Sequence, residues 1–329
     1  MPNYEVHYLD VSDADAIIIR YEDGPNKYVV LVDAGNVSDS DKIKNYIWNN
    51  WRTYTIDLAI CTHPDSDHKG GFFGLLNDIN VIINEFWLNT PDDVISEYEY
   101  SRLYPTRDRL SHCHECYNHP TDSQSPDLVS LAIRKCNNVY SAYKGCRHSQ
   151  IPLSVIGPTK DFYHPFAIEI LTNNKKKKDE DNSLYEDVGY FSYDQAKSSI
   201  DNEPDDCSPT NTGSIILLFE PVGGGKFLLL GDANRSAITD AIANNVSLAG
   251  CRIKVPHHGS KHNLTSALID KLAPNCAIIS AKGSRKHPSK GIVHCLSKHC
   301  NVYSTHKSGN LIHTSYPVTN PATPLKKKQ

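Results

Sequence analysis

The feature that most limits what this chain can fold into is a six-residue run, His63-x-Asp65-x-Asp67-His68, which carries four metal-competent side chains directly after the apolar segment 56–61. Such a segment reads as a buried strand, and a tight polar turn at its end aims imidazole and carboxylate heads at one point, as a two-metal site requires. Two more polar clusters stand in the same kind of place. Asp232 closes the apolar segment 226–230, and its two carboxylate oxygens can bridge two cations. His257 and His258 end the segment 252–255. Adjacent strand residues face opposite sides, so one histidine of this pair is expected to point inward, His257 in preference, although a bend at Pro256 can reverse the choice. Three clusters, each ending an apolar strand and followed by a small residue, favour one shared site. Its chemistry would be to lower the pKa of a bridging water, so that hydroxide exists near neutral pH, while two cations neutralise charge on the attacked group.

The rest of the chain reads as a scaffold for these turns. Segments 4–11, 16–21 and 28–32 alternate like a strand-rich hairpin opening, and Ile43, Tyr46, Ile47 and Trp51 fall on one helical face. The motif opens a helix over 72–78, and a second strand-and-helix series begins at Ser214. We expect a single domain over 1–318, with an inserted excursion at about 85–150, a polar loop at about 172–212 that includes the run Lys175 to Lys178, and a flexible tail at 319–329. With 329 residues, 39% hydrophobic and 22% charged, the chain has room for a sizeable core. No run approaches the roughly 20 apolar residues of a membrane span, and the start lacks a basic and apolar leader, so a cytoplasmic protein without membrane contact is expected. Ten cysteines in a chain of this length favour reduced thiols or a metal site over a disulfide framework.

Together these residues resemble the metallo-β-lactamase superfamily, whose motif is usually His-x-His-x-Asp-His, and more closely the metallo-β-lactamase-like domain of bacterial DNA-uptake (competence) channel proteins. The resemblance runs in order over about residues 5–314. It takes in Leu9-Asp10-Val11-Ser12-Asp13-Ala14-Asp15-Ala16, Asp33-Ala34-Gly35, the segment His63 to Gly71, Gly231-Asp232, Lys254-Val255-Pro256-His257-His258-Gly259-Ser260, Ile279-Ser280 before His287-Pro288, and Gly309. It implies an α/β (α+β) fold, the αββα metallo-β-lactamase sandwich, with the metal site at one edge of its two sheets. It makes His63 and Asp65 ligands of one metal, Asp67 and His68 ligands of a second, Asp232 the bridge, and adds His257 or His258. Asp65 stands where many members have histidine, and this harder ligand set extends the expected metals from Zn²⁺ to Mn²⁺. For the superfamily's middle histidine, His112, His114 and His119 are candidates by order alone.

The implied activity is metal-dependent hydrolysis of a phosphodiester, most readily by a nuclease, with Asp67 and His287 as catalytic residues and His287 able to protonate a leaving oxygen. Lys282, Arg285, Lys286 and Lys290 surround His287, and Lys254 and Lys261 flank the histidine pair; on the rim of a cleft they would bind phosphates in nucleic acid or another phosphodiester. A small phosphodiester or an amide is the alternative substrate. A silent or partner-activated regulatory subunit, binding a protein through the 85–150 excursion, is the alternative class. Cys113-x-x-Cys116 with its nearby histidines could hold a structural Zn²⁺. Asp10, Asp13, Asp15 and Asp33 are expected to shape turns and support the ligands.

Overall fold

A computed structural model describes residues 3–172, 192–243, 248–284, 286–315 and 322–326. The lysine run, the acids that follow it and Arg285 lie outside the described residues. The opening segments form β1 (Asn3–Tyr8), β2 (Ile17–Asp23) and β3 (Asn26–Val32), antiparallel neighbours in that order. The chain then crosses by helices and its strands turn parallel: β4 (Thr55–Ile60), β5 (Ile82–Trp87) and β6 (Asn138–Tyr140). A second sheet holds β7 (Leu153–Gly157), β8 (Ile216–Phe219), β9 (Phe227–Leu229), β10 (Arg252–Lys254), β11 (Cys276–Ile279) and β12 (Asn301–Ser304), in sequential order across the sheet. β13 (Leu311–Thr314) returns to pair with β1 and completes the first sheet, whose order is β13-β1-β2-β3-β4-β5-β6.

Both sheets are covered on both faces, which is why the strand segments are nearly continuous apolar runs. Leu58 and Ile60 of β4 face the second sheet's Leu217, Phe219 and Leu229, whereas Ala59 and the following Cys61 face the helices Ser40–Trp51, Ser66–Asn77 and Leu128–Lys135. On the far side, Ile253 and Leu228 pack on the helices Arg235–Ala243, Ser266–Leu272 and Lys290–Ser297. The result is an αββα sandwich. β3, β4 and β5 are mutually parallel, as are β9, β10, β11 and β12, so each set delivers its C-terminal ends to one edge of its sheet, where open α/β sheets present their ligand sites. No helix among the described residues is long and apolar enough to cross a membrane.

Three expectations about organisation are corrected. Residues 85–150, read as an excursion with one or two helices such as 127–135, do form the helix Leu128–Lys135, but they also contain the end of β5 and the parallel strand β6, and that helix shares the outer core of the first sheet. Their remainder forms a small core of Ile95, Tyr100, Cys113 and Tyr143 with Tyr163, Ala167 and Leu171. The described part of 172–212 is not a structureless loop either. Ser192 caps a helix, Tyr193–Asp201, by a reciprocal pair of bonds with Gln195, and that helix buries only Ala196 and Ile200, too sparse an apolar face to be recognised from spacing. Near the end, Val302 and Lys326 exchange backbone hydrogen bonds of 2.9 and 3.2 Å, so the described residues 322–326 are docked on the edge strand β12 and are not a free tail.

His313 of β13 sits edge-on to Phe227 with ring centroids 5.1 Å apart, and burial, reinforced by the Arg252 charge, pushes its pKa down to about 4. Because the folded value lies below the unfolded one, near 6.5, the stability this neutral imidazole carries is complete above about pH 6.5 and is lost as pH falls towards 4. Denaturant titrations at stepped pH should therefore show wild type losing more stability over that window than His313→Leu; parallel losses would contradict the assignment.

Candidate metal centre

The site is assembled from strand ends. Asp33 follows β3, Thr62 and His63 follow β4, Asp232 follows β9, His258 follows β10 and Ser280 follows β11. The motif then enters the helix Ser66–Asn77 with Asp65 at its N-cap, yet the Asp65 side chain makes no capping bond and its Oδ2 lies 4.0 Å from His63 Nε2. A strap of backbone bonds fixes the turn: Ala34 N–H donates to His68 O (2.7 Å), Gly35 N–H to Asp15 O (2.8 Å) and Asp15 N–H to Asp67 O (3.2 Å). Gly70 and Gly71 make this close approach feasible, since a Cβ on Gly71 would lie 2.1 Å from Ala34 O and one on Gly70 2.5 Å from Val37 N.

Four imidazoles converge, and the partner of each Nδ1 sets its tautomer. His68 Nδ1 donates to Asp33 Oδ2 at 2.8 Å. Thr62 Oγ1 donates to the same Asp33 oxygen at 2.8 Å, so at 3.1 Å it accepts from His63 Nδ1. His258 Nδ1 donates to the Ser280 carbonyl at 2.9 Å, and His257 Nδ1 to Asp206 Oδ2 at 3.0 Å. With Nδ1 so committed, Nε2 is the nitrogen that each ring turns to the site. His68 Nε2 lies 3.3 Å from Asp232 Oδ1, while His63 Nε2 and His257 Nε2 each lie 3.9 Å from Asp232 Oδ2. His258 Nε2 is 3.3 Å and His68 Nε2 3.9 Å from Asp67 Oδ2.

The donor set fits a divalent cation. His63 Nε2, His68 Nε2 and both Asp232 carboxylate oxygens are buried without a hydrogen-bond partner among the described residues, an arrangement that is costly unless something else satisfies them. Asp67, His68, Asp232 and His258 each offer one ligand atom within 4.8 Å of the others. Burial works against ionisation of Asp232, but the His68, His257 and His258 imidazoles outweigh it and hold its carboxyl well below the ordinary value. Burial and the neighbouring His68 push His63 down, whereas for His68 burial is outweighed by Asp232 and Asp33, which raise it well above the usual imidazole value.

Several sequence-based placements change. The strand alternation expected of His257 and His258 does not apply: both have left-handed backbone (φ 46° and 53°) in a tight turn, and both Nε2 atoms reach the site. Lys254 is not on the rim but fully buried beneath the centre, bonded to Asp15 and 3.2 Å from Gly231 O; burial opposes its charge, and Asp15 and Asp232 outweigh it and raise its pKa. Lys261 is ion-paired with Glu203 at 2.7 Å, and the Lys282 and Lys286 side chains are exposed. His287 lies against the site, its ring 5.5 Å from His257 and 6.2 Å from His258, with a buried Nδ1 that has no hydrogen-bond partner among the described residues. Burial and the two imidazoles push it down to about 2, so it is neutral and not the standing acid expected of it.

None of the candidates for a middle histidine joins the cluster. His112 bonds Tyr100 and Arg107, His114 faces Asp127 and His119 packs on Phe73. Nor do Cys113 and Cys116 meet as ligands. Cys113 is buried in the satellite core, Cys116 Sγ lies 3.7 Å from the Cys113 carbonyl, and among the described residues no metal-competent group includes either. Reading the sequence missed Asp206, and it missed Thr210, whose hydroxyl donates to Asp65 Oδ1 at 2.9 Å. The available signal was Ser208-Pro209, a cap followed by proline in the first helical turn, which marks an ordered Pro209–Thr212 turn.

Two face-to-face sheets, helices on both outer faces and a His/Asp cluster at the strand ends decide the architecture. This is the αββα sandwich that the resemblance implies. No family model matches the chain. A segment of 112 residues is 30% identical to ComE operon protein 3 of Bacillus subtilis (strain 168), covering 33% of this chain but only 14% of that relative. Among solved structures, the chain is similar to the metallo-β-lactamase fold protein YhfI from Bacillus subtilis (TM-score 0.43, 7% identity, 94% of this chain and 99% of that one). It is also similar to a diphosphatase from the PhnP family (TM-score 0.42, 9% identity, 95% and 99%).

The strap at Gly71 yields a test. An exposed helical Gly→Ala change gains about 1 kcal/mol, but here the new methyl meets backbone that has nowhere to go. Gly71→Ala should lower stability by about 3 kcal/mol in urea unfolding; an unchanged or raised midpoint would refute the close packing of the motif helix against 34–37.

Proposed function

We propose that the chain is a metal-dependent hydrolase of phosphodiesters, with nucleic acid as its substrate class and Mn²⁺ or Zn²⁺ as its metals. The observation that carries this reading is the set of four imidazoles, each with its Nδ1 committed to a partner, that turn their Nε2 atoms to the two carboxylates Asp67 and Asp232. His63, Asp65 and His257 would hold one ion, Asp67, His68 and His258 the other, and Asp232 would serve both. Bound cations supply Lewis acidity and activation of water for attack at phosphorus. A mixed oxygen and nitrogen donor set suits either metal.

The chain's own residues divide the remaining work. Asp33, Thr62, Asp206 and the Ser280 carbonyl orient the imidazoles before substrate arrives. Asp67, the most solvent-accessible carboxylate of its half at 13% side-chain exposure, is the acceptor best placed to take a proton from the attacking group. His287, neutral and beside His257, offers a hydrogen bond to a substrate oxygen. Lys282 and Lys286, with Arg285, supply cations for the phosphate backbone, and Lys261 joins them by exchanging Glu203 for a phosphate. The resemblance of the ordered motifs to the DNA-uptake channel domain supports nucleic acid over a small substrate.

The test is to load the protein with Mn²⁺ and separately with Zn²⁺ and follow cutting of labelled single-stranded and duplex DNA by wild type and Asp67→Ala. Wild type should cut only with metal, Asp67→Ala at least about 100-fold more slowly, and binding of the DNA should weaken steeply as salt rises. Absence of cutting with either metal would contradict a nuclease.

A further inference from the structure

The two halves of the centre are built differently. Metal–ligand bonds of about 2.1 Å place neighbouring donors about 3.4 Å apart in a tetrahedral site. In the half made by Asp67, His68, His258 and Asp232 Oδ1, two donor spacings are already 3.3 Å and a third, His68 Nε2 to Asp67 Oδ2, is 3.9 Å. In the half made by His63, Asp65, His257 and Asp232 Oδ2, the spacings are 3.9, 3.9 and 4.0 Å. Only the first half forms a cluster with all its donor atoms within 4.8 Å.

Their supports differ in the same sense. His68 and His258 are held by Asp33 and by the Ser280 carbonyl, which directly follow β3 and β11 in the sheet ladders. In the wider half, His63 is held through Thr62 by Asp33, but Asp65 is held by Thr210 and His257 by Asp206, both from the segment 205–212, with Asn263 Oδ1 also 3.2 Å from His257 Nδ1. Among the described residues that segment pairs with no strand. Asp205 accepts from the backbone N–H groups of Arg235 (2.9 Å) and Ser236 (3.2 Å), Asn234 Nδ2 donates to Asp206 O (2.8 Å) and Thr212 Oγ1 (2.9 Å), and Asn211 donates to Asp206 Oδ2 (2.8 Å).

We propose that the centre is assembled unequally: the Asp67/His68/His258 half is a preformed tight site, and the His63/Asp65/His257 half becomes a site only when Asp206 and Thr210 of the segment 205–212 hold its ligands. Asp206 and Thr210 are positioning residues, and docking of their segment sets whether one or two ions are bound. This rests on the dinuclear reading given above and adds an order of filling and the residues that control it.

The experiment is calorimetric titration with Mn²⁺ of the metal-free full chain, followed by electron paramagnetic resonance of the loaded protein. Wild type should take two ions with affinities at least about 10-fold apart and give the spectrum of a spin-coupled pair. Asp206→Ala and Thr210→Val should keep the tight ion, itself a report that the chain is folded, while the second weakens by about 10–100-fold and the spectrum becomes that of an isolated ion. Thr210→Ser, which retains the hydroxyl, should restore the pair. Two ions of equal affinity in wild type, two undisturbed ions in both variants, or equal loss of both ions would each overturn the inference while leaving a two-metal centre standing. A wild type that binds no Mn²⁺ would overturn the dinuclear reading and this inference with it.

Discussion

Asp232 is the residue on which the site depends. Its carboxylate is fully buried at the end of β9, and neither oxygen has a hydrogen-bond partner among the described residues. Isolating an ionised carboxylate in this way is prohibitive unless cationic or polarisable groups compensate. The surroundings do so by converging imidazoles on both oxygens and by burying Lys254 with its nitrogen 4.0 Å from Oδ1. Lys254 in turn needs Asp15, and the Asp15 backbone ties back to the motif through Asp67 O. One buried charge thus links β9, β10, the loop after β1 and the turn after β4.

The sandwich makes that linkage feasible. Parallel strands in both sheets bring their C-terminal ends to the site, and the left-handed turn after β10 lets two consecutive histidines point the same way. Close contact of Gly70 and Gly71 with 34–37 presses the motif helix onto the strand ends. Packing and chemistry are therefore coupled: the glycines that permit the approach are adjacent to the ligands it positions.

What was legible in the sequence follows a physical pattern. Strands buried on both faces write themselves as apolar runs, so β2, β3, β4 and β9 were found within a few residues, and the polar clusters that follow β4 and β9 stood out against them. The motif order also carried the fold. Long-range hydrogen-bond partners leave no such trace: Asp206 lies 51 positions from His257, and Thr210 lies 145 from Asp65, in a stretch whose composition reads as solvent-exposed. Lys254 resembled a rim cation because nothing in its own segment reveals that Asp15, 239 positions away, neutralises it. The histidine pair was misjudged because strand periodicity was carried one turn too far.

Asp232 is proposed to serve two ions at once. Its most direct test is a crystal of the chain grown with saturating Mn²⁺ and measured for anomalous scattering from the metal. Two peaks, one against each carboxylate oxygen of Asp232, with His68 and His258 on one side and His63 and His257 on the other, are the predicted result. A single peak away from Asp232, or none at all, would contradict it.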